Sequence, residues 1–247
     1  MKILTLNTWQ ERGPWQERWE VVFEGLRKFR PDIAGFQELF DRSWAEEVGK
    51  RIGLSNLVFP KEYCGLVIFS RYPVLDWGIV QLSSSPLEEY LRHVLWAKLK
   101  VGDDQLVIFN THLSWQLEDS ATRQKQVSEV LQLVRKKASV KEALIMGDLN
   151  APPNSSEIRW FLQEGNLKDL FYKMHADEPG YSWDNRNIYA GGAQHKLPDR
   201  RIDYILAYHS GPLLKNLISC DLVLTEPNAQ GIWASDHFGM SAEFKSE

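Results

Sequence analysis

Six places in this 247-residue chain set a chemically competent side chain at the end of an apolar run. Asn7 follows "KILTL", Glu38 follows "DIAGFQ" and His112 follows "LVIFNT". Asp148 and Asn150 follow "ALIM", Asp203 lies inside "RRIDYIL", and Asp236 and His237 follow "GIWAS". Taken singly, each has an ordinary explanation. Asn7, Asp148-x-Asn150 or Ser235-Asp236-His237 can close turns. Glu38 can cap a helix, His112 can be a bonded core histidine, and Asp203 can pair with Arg200 or Arg201. Eight such residues at six strand termini point instead to shared chemistry, and phosphoester cleavage uses them all. A hard cation such as Mg²⁺ takes oxygen ligands, often one or two carboxylates plus water; Glu38 and Asp236 supply carboxylates and Asn7 a neutral oxygen. A histidine–aspartate pair is an oriented proton-transfer group. A carboxylate beside a carboxamide can hold a water and a phosphoryl oxygen.

The segment "MGDLNAPP" makes the last pairing specific. Side chains at i and i+2 of an extended chain point the same way, so continued extension predicts that Asp148 and Asn150 face one spot. Gly147 removes bulk beside it, and Pro152 and Pro153 end the strand. No Cys/His cluster has zinc spacing, and there is no Gly-rich phosphate loop, GxSxG or CxxC.

Strands are predicted at Lys2–Asn7, Ile33–Phe36, Gly65–Phe69, Val74–Val80, Val94–Val101, Gln105–Asn110, Ala143–Met146, Arg201–Ala207, Cys220–Leu224 and Met240–Phe244. A hairpin is expected around Gly102-Asp103-Asp104. Trp15, Trp19, Val22, Phe23 and Leu26 recur at helical spacing and stop before Pro31. Further helices are predicted at Ser43–Ile52, Ala121–Lys137 and Glu157–Gln163. The longest irregular segment, Gly180–Pro198, reads as a functional surface loop. The order implies two packed mixed sheets with helices outside, in a single domain spanning residues 1–247.

Hydrophobic residues make up 43% and charged residues 25%, which predicts an ordinary soluble globular protein. The net charge of -4 speaks against non-specific polyanion binding. The opening "MKILTLNTW" alternates like a strand and predicts no secretory leader. No run approaches the ~20 apolar residues of a bilayer span. Cys64 and Cys220 sit in strand-like contexts, and two reduced core thiols predict a cytoplasmic location.

Asn7, "QE" at Gln37-Glu38, "FSRYPV" at Phe69–Val74, "NTHL" at Asn110–Leu113, "GDLN" at Gly147–Asn150, "RIDYIL" at Arg201–Leu206 and "SDH" at Ser235–His237 occur in one order along nearly the whole chain. This set resembles the endonuclease/exonuclease/phosphatase superfamily, which has the deoxyribonuclease I-like fold. The resemblance implies a four-layer α/β/β/α sandwich with its site at one edge of both sheets. It implies Glu38 as the principal Mg²⁺ ligand (Mn²⁺ being a substitute), with Asn7 and Asp236 near the metal. Asp203 would orient His237. Asp148 and Asn150 would hold the attacking water and a phosphate oxygen, and His112 would contact a phosphate oxygen or the leaving group. Either Asp148 or His237 would serve as general base. Arg92, in "YLRHVLWAKL", matches a phosphate-contacting arginine loosely. Abasic-site endonucleases carry an acid where this chain has Trp9 and a tyrosine where it has His112, so a second carboxylate-rich metal site is not expected. The histidine, "LNTW" and the stretch from "RIDYIL" to "SGPLLKNLISCDLVLTE" are similar in character to neutral sphingomyelinases.

Trp9, Trp115, Trp183 and Trp233 lie near a motif or on the long loop. Trp9 and Trp115 follow Asn7 and His112 so closely that they are expected at the mouth of the site. There they could stack on a base, touch a lipid interface or attract a choline cation. The expected activity is Mg²⁺-dependent hydrolysis of a phosphodiester, with a lipid-headgroup or small diester favoured. The alternatives are a nuclease of the same fold, with nucleic acid as partner, and a non-catalytic binding module.

Overall fold

The computed structural model describes residues 1–86, 88–138, 143–191, 197–208 and 212–245. Alternation along the central strands fixes both the packing and the place of the polar groups. On β1 (Lys2–Asn7), Leu4 and Leu6 face one core, and Ile3 faces another. Each intervening residue points the other way, so Thr5 and Asn7 continue the Ile3 face. β2 (Ile33–Gln37) repeats this, with Ala34 and Phe36 on the first side and Ile33, Gly35 and Gln37 on the second. Two hydrophobic faces per strand require a layer on each side.

One side of this sheet is covered by α1 (Trp15–Phe29) and α2 (Arg42–Ile52). Trp19, Val22, Phe23 and Leu26 recur at helical spacing and are buried there. The other side meets a second sheet. Sheet one also holds β3 (Asn56–Val58), β4 (Val67–Ser70), β11 (Leu217–Val223) and β12 (Gly239–Phe244), in the order β11-β12-β1-β2-β4-β3. Sheet two holds β5 (Val74–Gln81), β6 (His93–Val101), β7 (Asp104–His112), β8 (Ala143–Asp148), β9 (Leu167–Asp169) and β10 (Asp203–Tyr208). Its order is β5-β6-β7-β8-β10-β9, and α3 (Ser120–Lys137) and α4 (Ser156–Gly165) cover its outer face. This is the expected α/β/β/α sandwich.

In each sheet the central pair is parallel: β1 with β2, and β7 with β8. A parallel pair needs a crossover; α1 and α3 lie within these two connections. The four carboxyl ends therefore emerge together. Ile108, Leu144, Met146 and Ile205 fill the space between the sheets with Ile3 and Ile33. Toward those ends the facing residues turn polar, as Ile3–Thr5–Asn7, Ile33–Gly35–Gln37, Ile108–Asn110–His112 and Leu144–Met146–Asp148. β10 runs antiparallel to β8 and begins with Asp203 at the same end, opposite Asp148.

A buried amide clamp joins the sheets just below that end. Gln37 Nε2 donates to Asn110 Oδ1 (2.6 Å) and Thr5 Oγ1 (3.0 Å). Asn110 Nδ2 donates to the carbonyls of Phe36 (2.9 Å) and Val67 (3.0 Å). The sheets approach closely here, since a Cβ on Gly35 would stand 2.3 Å from Met146 Cε.

Several short elements escaped the periodicity reading: β3, β9, α5 (Leu170–Met174) and α6 (Pro212–Lys215). Three to five residues carry too few repeats to show a period. The predicted strand Gly65–Phe69 begins later, at Val67, because Gly65 takes φ 67° where the chain passes Phe40. Leu224 lies outside β11, turned to φ 60°. The expected hairpin is present, with Val101 paired to Asp104 across Gly102-Asp103. Residues 192–196 of the predicted Gly180–Pro198 loop lie outside the described residues. Cys64 and Cys220 are free and buried, and no helix among the described residues is long and apolar enough to cross a membrane.

Asn110→Leu removes the acceptor for Gln37 and the donor to two buried carbonyls. It is expected to destabilise the fold by ~2–3 kcal/mol, because buried groups left unpaired cost ~1–3 kcal/mol. Urea unfolding measures this; an unchanged midpoint would refute the clamp.

Candidate functional site

The polar ends of the strands enclose a cavity of about 280 Å³. Asn7, Glu38, Arg92, His112, Trp115, Asp148, Asn150, Asp236 and His237, drawn from both sheets, all line it. Asp203 lies directly behind His237.

Asp148 ends β8 and is the hub. Its Oδ2 accepts from Asn7 Nδ2 at 3.1 Å and stands 3.4 Å from His112 Nε2 and 3.7 Å from His237 Nε2. Its Oδ1 accepts the backbone N–H of Asn150 at 2.9 Å. That bond corrects the expectation of continued extension. Asn150 is left-handed (φ 51°) and meets the cavity through a side-chain turn on Asp148. Its Nδ2 donates to the carbonyl of Leu113 at 3.0 Å. Gly147 also serves another purpose than expected: a Cβ there would lie 2.0 Å from Thr111's carbonyl oxygen on β7.

His237 Nδ1 is 2.8 Å from Asp203 Oδ2. Asp203 is fully buried and receives no bond from either neighbouring arginine; Arg201 pairs with Asp169 instead. Burial alone would lower the His237 pKa. The charges of Asp203, Asp148 and Asp236 overcome it and raise the imidazole to about 10, so the ring is an imidazolium at neutral pH. His112 is the opposite case: burial, with Arg92 and His237 nearby, holds it well below the usual histidine range. It stays neutral, and its Nδ1 is 3.3 Å from the Tyr90 hydroxyl. Burial, reinforced by Asp203, raises Asp148 to about 6. Burial likewise raises Asp236 to about 7, with Glu38 adding to it and His237 and Arg18 opposing it.

The donor set fits a hard cation. Asp236 is buried, has no ion-pair partner among the described residues, and lies in the field of Glu38. Two such carboxylates on one cavity suit Mg²⁺. Asn7 lies beside Glu38 on the cavity wall, as expected of a residue near the cation. Its Oδ1 accepts from the Trp9 N–H (3.0 Å), and its Nδ2 faces Glu38 Oε1 (3.3 Å) and Asp148. In this conformation it steadies two carboxylates through Nδ2 and shares its Oδ1 with the Trp9 N–H. Asp148, Asp203 and His237 also place one ligand-type atom each within 4.8 Å of one another. There His237 Nδ1 is engaged by Asp203, which leaves Nε2 turned toward Asp148.

Trp9 does not line the cavity. The chain turns left-handed at Trp9 (φ 57°) and Gln10 (φ 49°), which carries the indole onto Tyr189, ring centroids 5.0 Å apart. Trp115 does line it and is 51% exposed. Arg92 lines it as well, but its charge is committed: Nε donates to Glu88 Oε2 at 2.7 Å, and Nη1 to the Tyr90 hydroxyl at 3.1 Å.

Sequence reasoning missed the groups that hold these side chains in place. Arg18, on the buried face of α1, is 1% exposed. It donates to the carbonyls of Thr8 (2.9 Å), Ala234 (3.0 Å), Gln10 (2.8 Å), Arg12 (3.0 Å) and Trp9 (3.2 Å). It thereby ties the loop after Asn7 to the loop before Asp236. A signal existed, since Arg18 interrupts the apolar stripe of Trp15, Trp19 and Val22. Ser235 Oγ donates to Asn7's carbonyl (2.6 Å), and Ser182 Oγ accepts the N–H of Asp203 (3.1 Å). Trp183 sets its ring edge-on to His237, centroids 5.0 Å apart.

The comparisons with known proteins agree with this fold. The fold is similar to sphingomyelinase C from Streptomyces griseocarneus, with TM-score 0.79, 20% identity, and 99% of each chain covered. It is similar to truncated TDP2 from Caenorhabditis elegans, with TM-score 0.78 and 19% identity over 99% of this chain and 97% of that one. It is likewise similar to D. rerio TDP2 complexed with single-strand DNA product, with TM-score 0.78 and 20% identity over 100% of this chain and 99% of that one. The comparison with curated proteins finds no significant sequence match. Residues 4–237 match the sequence profile of the Endonuclease/Exonuclease/phosphatase family, and the chain belongs to that family.

Proposed function

We propose that this protein is a Mg²⁺-dependent phosphodiesterase whose preferred substrate is a phospholipid-type diester. One observation carries the reading: Glu38, Asp148 and Asp236 line one cavity with the His237 imidazole, beside an exposed indole. Glu38 and Asp236 would hold the cation. When bound, it would supply Lewis-acid stabilisation of charge on the phosphoryl group. Asp148, raised to about 6, is suited to take the proton of the attacking water near neutral pH. Asn150 would help to position that water. His237, kept protonated by Asp203, is unsuited to that task and would instead donate to a phosphoryl oxygen. Neutral His112 would donate to the leaving oxygen or its neighbour. Asn7 would hold Glu38 and Asp148 in place. The full set of groups favours a catalyst over a binding module.

The lipid preference rests on Trp115 and the nearby exposed Leu117. Together they offer an apolar surface beside an acidic cavity, suited to an amphiphile with a cationic headgroup. The solved sphingomyelinase C shares the fold to the same degree as TDP2. The nuclease reading keeps one specific support, the two indoles Trp115 and Trp183 on the cavity, which could stack on bases. A panel of choline phospholipids, single-stranded DNA, bis-p-nitrophenyl phosphate and inositol phosphates, each with and without Mg²⁺, separates the readings. Faster cleavage of DNA than of lipid, falling steeply with salt, would establish the nuclease.

Glu38→Gln should lower activity by about 10²-fold or more and weaken Mg²⁺ binding in calorimetry, with the fold retained. Undiminished Mg²⁺ affinity would remove Glu38 as the ligand. Trp115→Ala should raise KM for a choline phospholipid and spare bis-p-nitrophenyl phosphate. Equal loss on both would make the indole structural.

The carboxyls also set a pH dependence. Asp148 and Asp236 titrate higher in the folded state than in the unfolded chain. Their contribution to stability is therefore full below ~4 and is lost as pH rises through about 6 and about 7. The His237 contribution is full below ~6.5 and is lost on the way to about 10. In EDTA, Tm should fall between pH 5 and pH 8, and Asp236→Asn should flatten that fall. Mg²⁺ should raise Tm more at pH 8 than at pH 5. A metal-free Tm that climbs over this range would contradict the assignment.

A further inference from the structure

Five arginines are buried: Arg18, Arg92, Arg123, Arg200 and Arg201. Four have their charge or their donors committed within the protein. Arg18 is bonded to backbone carbonyls, Arg92 is paired with Glu88, Arg123 with Glu157, and Arg201 with Asp169. Arg200 differs. It is 7% exposed, yet its Nε and Nη1 have no hydrogen-bond partner among the described residues. No carboxylate among those residues lies within ion-pair distance of it, although Asp148 and Asp203 act on it through space. Buried guanidinium N–H groups without hydrogen-bond partners are costly, and a guanidinium with no carboxylate paired to it on a cavity wall is suited to an anion brought by a ligand.

Its position is built. The backbones of Arg200 and Trp183 bond in both directions (2.8 and 2.9 Å), and the Arg200 Cζ lies 5.7 Å from the Trp183 ring centroid. Trp183 in turn packs on His237. Arg200, Trp183, Asn150, Asp148 and His237 share the lining of the one cavity.

We propose that Arg200 is the phosphoryl receptor of this site. It would donate charge-assisted hydrogen bonds to a non-bridging oxygen of the substrate phosphate. This replaces Arg92, the arginine indicated by resemblance, whose charge Glu88 already satisfies. The inference rests on the phosphoester reading and adds a specificity to it. A fixed guanidinium with no carboxylate in ion-pair contact attracts a dianion more strongly than a monoanion. The phosphomonoester product and inorganic phosphate should therefore bind more tightly than the diester and inhibit the enzyme.

Two variants test it, Arg200→Ala and Arg200→Lys. With Mg²⁺, Arg200→Ala should lower kcat/KM for bis-p-nitrophenyl phosphate about 10- to 100-fold, the range for a lost charged hydrogen bond. It should weaken inhibition by inorganic phosphate by a similar factor. Millimolar guanidinium should restore part of both, and Arg200→Lys should fall between. Calorimetry of inorganic phosphate on the metal-free protein gives a readout independent of turnover. If the parent cleaves none of the panel substrates, the phosphodiesterase reading fails; phosphate binding that disappears in Arg200→Ala would still uphold the receptor. If the parent is active and the folded Arg200→Ala variant keeps its activity and phosphate inhibition, the receptor is overturned. A loss that neither guanidinium nor lysine moderates would also overturn it, by making Arg200 structural.

Discussion

The burial of Asp148 among other acids is the constraint on which the rest of the structure depends. Asp148, Asp203 and Asp236 are all buried where two sheets meet, and a buried carboxylate is expensive without a counter-charge. The fold meets part of that cost with one proton. His237 bonds to Asp203, stands near Asp148, and is held protonated by the acids around it. The remaining imbalance lies at Asp236 and Glu38. There a hard cation would stabilise the folded protein and equip the cavity for phosphoester chemistry.

The sheets make that cluster by an economical route. Alternation sends one face of each strand toward the helices and the other toward the opposite sheet. The second face is apolar along most of its length and becomes polar at the end shared by β1, β2, β7 and β8. The Gln37–Asn110 clamp marks the change. Beyond it the backbone is forced into unusual shapes: Trp9, Gln10, Glu38 and Asn150 all have positive φ. Such residues cost of order 1–3 kcal/mol each and persist only where the surroundings over-determine them. Arg18 does that for the first two by binding the carbonyls of Thr8, Trp9, Gln10 and Arg12. An arginine distant from the reacting groups thus fixes the loop that follows Asn7.

Much of this was legible in the sequence because period-two patterning and strand-end polarity are local. The two packed sheets and the gathering of Glu38, His112, Asp148, Asn150, Asp236 and His237 followed from strand patterning and strand-end residues, while the four-layer order and the Asp203–His237 bond followed from the family resemblance of the motifs. What escaped depends on contacts distant in the chain or on turns. Trp9 was expected at the mouth from its distance to Asn7, yet two left-handed residues redirect it onto Tyr189. Arg92 carried the motif resemblance, but only its pairing with Glu88, four residues earlier, shows that its charge is spent. Asn150 reaches the cavity by bonding Asp148 through its own N–H, not by strand alternation. Arg200 entered the sequence reading only as a partner for Asp203, a role its geometry does not support.

The state of His237 tests this account most directly. Its imidazole can be followed by NMR in the metal-free protein from pH 6 to pH 11. The account predicts a ring that stays protonated through neutral pH and titrates at about 10, because three buried carboxylates surround it. Titration near the ordinary histidine value of ~6.5 would mean that the acids do not share its proton. The charge balance proposed for the cavity would then be wrong.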